Sequence, residues 1–157
     1  MLRSILVGVA VMLAGEAFAL EGVATVIDGD TIEIHGQRIR LFGIDTPEKG
    51  QPCWNASGAE YRCGQQAAFV LADFIGRSPV TCEERDTDRY GRIVARCFVQ
   101  GQSVNEHMVR SGWAMAYRRY ASDYIAAEQE AKNGKRGLWS GQFEPPWDWR
   151  KHRREGF

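Results

Sequence analysis

The stretch VIDGDTIEIHGQRIRLFGIDTPEKG, Val26–Gly50, decides how this chain folds. Apolar and polar residues alternate in short runs punctuated by Asp28-Gly29-Asp30 and His35-Gly36, the pattern of half-buried strands joined by tight turns. With the preceding GVATVI, the runs DTIEIH and QRIRLFGI make three strands in a β-meander. In the third, period-two alternation sets Ile39 and Leu41 on one face and Arg38 and Arg40 on the other. Arg40 can thereby look outward toward the strand ends that carry Asp28, Asp30, Asp45 and Glu48.

Beyond this stretch the period changes. From about Gly58 to Ile75, Ala67, Ala68, Leu71, Phe74 and Ile75 recur at helical spacing, and Gly76 is a natural C-cap. VTCEE and GRIVARCFV read as two more strands around the polar turn RDTDRY. Ser103, with Glu106 three residues on, forms a capping box for a second helix that breaks at Gly112. A third helix is expected from near Ser122, carrying Ile125, Ala126 and Ala131 and stopping at Asn133-Gly134. Five strands with helices interspersed late give the α+β class, a small five-stranded barrel with three packed helices. The length of 157 residues, a charged fraction of 25% and the lack of repeats or long linkers point to one domain.

The chain opens with MLRSILVGVAVMLAGEAFA: Arg3, an apolar run from Ile5 to Leu13, and small residues Ala17 and Ala19 around Phe18. This reads as a signal peptide over residues 1–19, cleaved after Ala19 to leave a domain over 20–157. The apolar run is too short for the ~20 residues that span a bilayer, so no membrane anchor is expected after cleavage. Export, periplasmic or secreted, implies an oxidising compartment, and all four cysteines lie in the mature part. Three pairings are open; Cys53 with Cys63 and Cys82 with Cys97 is preferred, the first closing a short loop and the second bracketing a strand, turn and strand. Zinc is less well supported, for there is no CxxC or Cys/His cluster at ligand spacing.

Lys and Arg number 20 and Asp and Glu 20, so net charge gives no general argument for binding a polyanion. The tail RKHRREGF, with Arg150, Lys151, Arg153 and Arg154 against Glu155, is either a local basic patch or a solvated end. The histidines, His35, His107 and His152, fall in no pattern that pairs one with a nucleophile or with another histidine. No GxSxG, Walker loop or GxGxxG is present. What remains is a carboxylate cluster with arginines. Taken alone, Asp28-Gly29-Asp30 is an Asx-type turn and Thr46-Pro47-Glu48 a loop. Brought together by a meander, the acids make a hard oxygen site suited to Ca²⁺ or Mg²⁺, and an exported protein more often meets calcium. Arg40 and Arg92 add guanidinium groups that match phosphate oxygens and would neutralise a phosphoryl transition state, leaving Glu48 to activate water.

DGDT at Asp28–Thr31, RLFGIDTPE at Arg40–Glu48 and DRYGR at Asp88–Arg92 resemble the staphylococcal nuclease (thermonuclease) family, and VNEHMVRSGWA and the GLW at Gly137–Trp139 extend the likeness over nearly all of the mature chain. The resemblance implies an OB-fold barrel with three helices and a Ca²⁺-dependent phosphodiesterase that cuts DNA and RNA to leave 3′-phosphate ends; separately, a monomer is expected. It implies that Asp30 and Asp45 ligate calcium by their carboxylates and Thr46 by its carbonyl, with Asp28 acting through water. Glu48 falls at the general base, and Arg40 and Arg92 at the phosphate-binding arginines. Arg89 and Tyr90 match positions lining the substrate groove, and Tyr117 aligns with a base-stacking tyrosine in altered surroundings. The cysteine loop KGQPCWNASGAEYRCG departs from the prototype's flexible basic loop, and neutral charge departs from its strong basicity. The competing expectation is a non-catalytic OB-fold module that binds nucleic acid through the same surface.

Overall fold

A computed structural model of the chain describes residues 19–156. The leader read over 1–19 lies outside them except for Ala19, which opens β1 opposite Glu83. In chain order the strands of the first half are β1 (Ala19–Val23), β2 (Thr25–Asp28), β3 (Thr31–Ile34), β4 (Gln37–Leu41), β5 (Ile44–Asp45), β6 (Pro52–Trp54) and β7 (Glu60–Arg62). Then come α1 (Cys63–Ile75), β8 (Pro79–Thr87), β9 (Ile93–Val99), β10 (Gln102–Ser103), α2 (Val104–Arg110) and β11 (Met115–Ala116). The chain closes with α3 (Ile125–Asn133), a 3₁₀ turn (Gly137–Ser140) and α4 (Pro146–Glu155).

The meander forms as the alternation requires: β2, β3 and β4 pair antiparallel in sequence. Ile39 and Leu41 are buried while Arg38 is exposed and Arg40 half-buried. The first run is split at Ala24, so that β1 pairs with β8 while β2 pairs with β3. The main sheet therefore runs β1-β8-β9-β4-β3-β2 and curls until β1 returns toward β3, a half-barrel of OB type. The parallel pairing of β4 with β9 sets Ile93 beside Ile39 and Val94 beside Arg40. Inside the curl, Ile32, Ile34, Ile39 and Leu41 meet Leu71 and Ile75 of α1 and Val104 and Met108 of α2.

Both disulfides follow the preferred pairing. Cys82 and Cys97 bridge facing positions of β8 and β9, and Cys53–Cys63 closes a loop of sequence separation 10. The Cys53–Cys63 bridge also accompanies the start of the helix at Cys63 rather than near Gly58: residues 52–62 are taken by the β6–β7 hairpin. At its tip Asn55 Oδ1 accepts from the Ser57 amide at 3.0 Å, the Ser57 hydroxyl at 2.7 Å and the Ala59 amide at 2.9 Å. Those local bonds outcompete a helical turn. α3 likewise starts three residues later than expected, at Ile125. The tail adds a fourth helix to the three expected: Pro146 occupies its first turn, where a missing N–H costs nothing, and Gly156 ends it in the left-handed region at φ 82.

α2 is fixed to the sheet by its cap and by one buried side chain. Ser103 Oγ accepts from the Glu106 amide at 3.2 Å, as the capping box requires. Asn105, fully buried, accepts from the Cys97 amide at 2.9 Å and donates to the carbonyls of Phe42 at 2.9 Å and Ala95 at 3.2 Å. Asn105→Ala leaves these buried groups without a partner and is expected to cost about 2–4 kcal/mol, read as a lower urea midpoint at unchanged slope.

Candidate active site

Six of the residues singled out from sequence meet at one end of the meander. The Asp28-Gly29-Asp30 turn is an Asx turn, with the Asp30 amide donating to Asp28 Oδ1 at 3.1 Å. It also turns the Asp30 carboxylate inward: Oδ1 accepts from Thr31 Oγ1 at 3.1 Å and from Arg40 Nη1 at 3.1 Å, and Oδ2 from the Thr46 amide at 3.3 Å. Arg40 Nη2 donates to Asp45 Oδ1 at 3.0 Å, so one guanidinium spans both aspartates. Asp45 has no exposed surface, and its backbone is held by pairing of β5 with β11.

Glu48 is placed by α1. The helix comes so close that a Cβ on Gly64 would lie 2.2 Å from the Glu48 carbonyl oxygen, so glycine is required there. The Glu48 amide donates to Oε1 of the fully buried Gln51 at 3.2 Å, and Gln51 Nε2 donates to the Glu144 carbonyl at 2.7 Å.

A residue that sequence reasoning assigned no role in the site completes it. Arg150 of α4 donates from Nη1 to Asp45 Oδ1 at 3.1 Å and to Glu48 Oε1 at 2.9 Å, and from Nη2 to Asp45 Oδ2 at 2.7 Å. The sequence signals a helix here, with proline in its first turn and Trp147 and Arg150 spaced to share one face, but nothing local to it signals the acids that Arg150 meets. Trp147 lies flat on Tyr117, with ring centroids 5.4 Å apart and planes 4° from parallel.

Arg92 is held apart from the acids. Its Nε donates to Asp88 Oδ2 at 2.7 Å and its amide to Asp88 Oδ1 at 3.0 Å, inside the turn between β8 and β9. These bonds, with that of the Tyr90 amide, hold the Asp88 carboxyl below its usual range although burial opposes them. Because Val94 pairs with Arg40 and side chains alternate, Arg92 lies on the same face as Arg40 one strand over. Arg89 and Arg92 both approach the ring of Tyr90, at 5.0 Å and 5.7 Å, and Tyr90 itself is 70% exposed.

Burial dominates the electrostatics. It raises the Asp30 carboxyl to about 6, against the attraction of Arg40 and with the repulsion of Asp28 adding to it. It raises Asp45 too, in spite of Arg150 and Arg40. Both arginines are pushed the other way by their acids: burial works against their charge, yet Asp30 and Asp45 raise Arg40, and Asp45 and Glu48 raise Arg150. Among the described residues no three histidine, cysteine or acidic side chains converge as a ready metal cluster. The donor set nonetheless fits a hard cation, since Asp30 and Asp45 each keep a carboxylate oxygen that accepts a single hydrogen bond, Oδ2 in both.

A curled OB-type half-barrel with buried aspartates and arginines at the end of its meander defines a structural class. The family model described as "Staphylococcal nuclease homologue" matches residues 38–141, and the chain belongs to that family. It is 43% identical over 110 residues to the succinoglycan biosynthesis protein ExoI of Rhizobium meliloti, a match covering 68% of this chain and 58% of that one. It is 39% identical over 121 residues to an uncharacterized endonuclease of Escherichia coli, covering 74% and 72% respectively. A probable staphylococcal-like nuclease of Oryza sativa, CAN1, is 33% identical over 122 residues, 76% of this chain but 34% of that protein. The chain thus spans little more than half of the first of these relatives and about a third of the last.

Proposed function

We propose that the protein is an exported, monomeric, calcium-dependent nuclease, a single domain over residues 20–157 that hydrolyses phosphodiester bonds of DNA and RNA to leave 3′-phosphate ends. One observation carries the reading: Arg40 joins buried Asp30 and Asp45, and Glu48 follows Asp45 by three positions. Family membership and relatives named endonuclease and staphylococcal-like nuclease support it. Two disulfides, and the lack of any described helix long and apolar enough to cross a membrane, fit export.

In this reading Asp30, Asp45 and the Thr46 carbonyl would hold Ca²⁺, with Asp28 acting through water. A bound ion would supply Lewis-acid charge to the phosphoryl group. Glu48 takes the proton of the attacking water. Arg40, with only two of its five N–H groups engaged by the aspartates, keeps the rest for phosphate oxygens. Arg92 stays oriented through Asp88 and presents its terminal nitrogens from the next strand. Arg89 and exposed Tyr90 line the groove, and Tyr117 backed by Trp147 gives it an aromatic wall.

The purified mature chain is expected to cut single-stranded DNA, duplex DNA and RNA in calcium and to stop when calcium is chelated, with 3′-phosphate shown by end analysis of the products. Turnover that persists in chelator removes the metal from the reaction. Tight binding without cleavage in any divalent ion would instead identify a nucleic-acid-binding module.

A further inference from the structure

We propose that Arg150 is a positioning residue of the hydrolytic site, its guanidinium fixing the Glu48 carboxylate against the Asp45 carboxylate. This rests on the nuclease reading above. Nη1 alone bridges the two acids, at 3.1 Å to Asp45 and 2.9 Å to Glu48, while Nη2 takes the second Asp45 oxygen at 2.7 Å. A planar fork held at both ends of one carboxylate has little freedom left, so the Glu48 oxygen it touches is set relative to Asp45.

The helix carrying Arg150 is itself tied to the Glu48 loop. Trp54 and Gln142 exchange two backbone hydrogen bonds at 2.8 Å, and Gln51 links the Glu48 amide to the Glu144 carbonyl. On the other side Trp147 is seated on Tyr117. Arg150 is therefore delivered by a supported helix rather than by a loose end.

Lone pairs separate a positioning role from an occluding one. Each carboxylate oxygen can accept two hydrogen bonds. Asp45 Oδ1 accepts from Arg40 and Arg150 and is filled, whereas Oδ2 accepts one bond and keeps a lone pair open. Asp30 shows the same division, with Oδ1 filled by Thr31 and Arg40 and Oδ2 taking only the Thr46 amide. Glu48 Oε2 has no partner among the described residues. The fork thus holds the acids and leaves one open oxygen on each. Charge agrees: Asp28, Asp30, Asp45 and Glu48 against Arg40 and Arg150 leave a deficit of two positive charges, which a divalent cation matches.

The test compares wild type, Arg150→Ala and Arg150→Lys in kcat and KM on a short oligodeoxynucleotide, and titrates Ca²⁺ calorimetrically into each protein without substrate. Arg150→Ala is expected to lose about 100-fold in kcat, the scale of a small misplacement at a reacting centre, with KM within about threefold. Arg150→Lys also falls, because an ammonium cannot form the fork. Added guanidinium restores part of the Arg150→Ala rate, and Ca²⁺ binds Arg150→Ala at least as tightly as wild type because a positive charge has been removed. Should Arg150→Ala fail to fold, the lysine variant, which keeps charge and stem, carries the rate comparison. A kcat at or above the wild-type value overturns the proposal, the latter marking an occluding contact. So does a rate restored to normal merely by saturating Ca²⁺. Inert wild-type protein removes the nuclease reading and this inference with it, whereas active wild type with an equally active Arg150→Ala removes this inference alone.

Discussion

Glu48→Gln is expected to lose about 100-fold to 10,000-fold of DNA cleavage at saturating Ca²⁺, the range that a positioned general base supplies. The substitution is well suited to the purpose because it disturbs little else. Glu48 is half-exposed, and among the described residues its carboxylate makes one side-chain contact, to Arg150 Nη1 at 2.9 Å, a donor that a glutamine carbonyl oxygen can still accept from. The amide bond from Glu48 to Gln51 belongs to the backbone and is retained. Stability should therefore change by no more than about 1 kcal/mol, as for a partly exposed ion pair. Single-turnover cleavage beside a melting curve checks both halves. Cleavage at the wild-type rate would place the base elsewhere.

Asp30→Asn is expected to abolish activity and yet to stabilise the calcium-free fold. Burial lifts the Asp30 carboxyl to about 6 from the ordinary aspartate value of 3.8, so the folded state resists its ionisation more than the unfolded chain does. For a raised carboxyl the sign is unfavourable: the cost is present in full above pH 6, shrinks as pH falls through 6, and vanishes below the unfolded value. A shift of this size corresponds to about 1–3 kcal/mol, and asparagine removes the charge at nearly constant shape. Urea unfolding in chelator should show the variant ahead of wild type near about pH 8, with the gap shrinking as pH falls through 6 and closing toward about pH 4. Calcium should reverse the order, by binding the folded wild type. A variant less stable than wild type at both pH values would mean that the Asp30–Arg40 pair outweighs the burial of Asp30. Stability given up at a working site is the general expectation for such groups.

The meander was legible because one buried face forces a period of two on β3 and β4, and Arg40 could be assigned to the outer face from Ile39 and Leu41 alone. The Ser103 cap was legible for a similarly local reason, an oxygen three residues from the amide it satisfies. The DGD turn was read two ways from sequence, as an Asx turn and as a source of site carboxylates; Asp28 closes an Asx turn, and Asp30 faces Arg40. Arg92 was expected among the acids, but its nearest acid is Asp88 in its own turn, and only the β4–β9 register shows that it shares a face with Arg40. The role of Arg150 was not legible, because nothing local to RKHRREGF points to partners 102 and 105 residues earlier. Basic residues near a chain end have the same composition whether solvated or docked, and tertiary packing decides between them.

Those separations also bear on when the site comes into being. β2, β3 and β4 can zip together through neighbouring turns, so Asp28, Asp30 and Arg40 assemble from short-range contacts early in folding. Arg150 can reach Asp45 only by closing a loop that takes in most of the chain. Assembly of the acid cluster is thus divided in time, with an N-terminal half that forms locally and a last member that arrives with the final helix. A chain caught before its end has emerged would already hold the meander, but Asp45 and Glu48, which Arg150 joins, would still be unlinked.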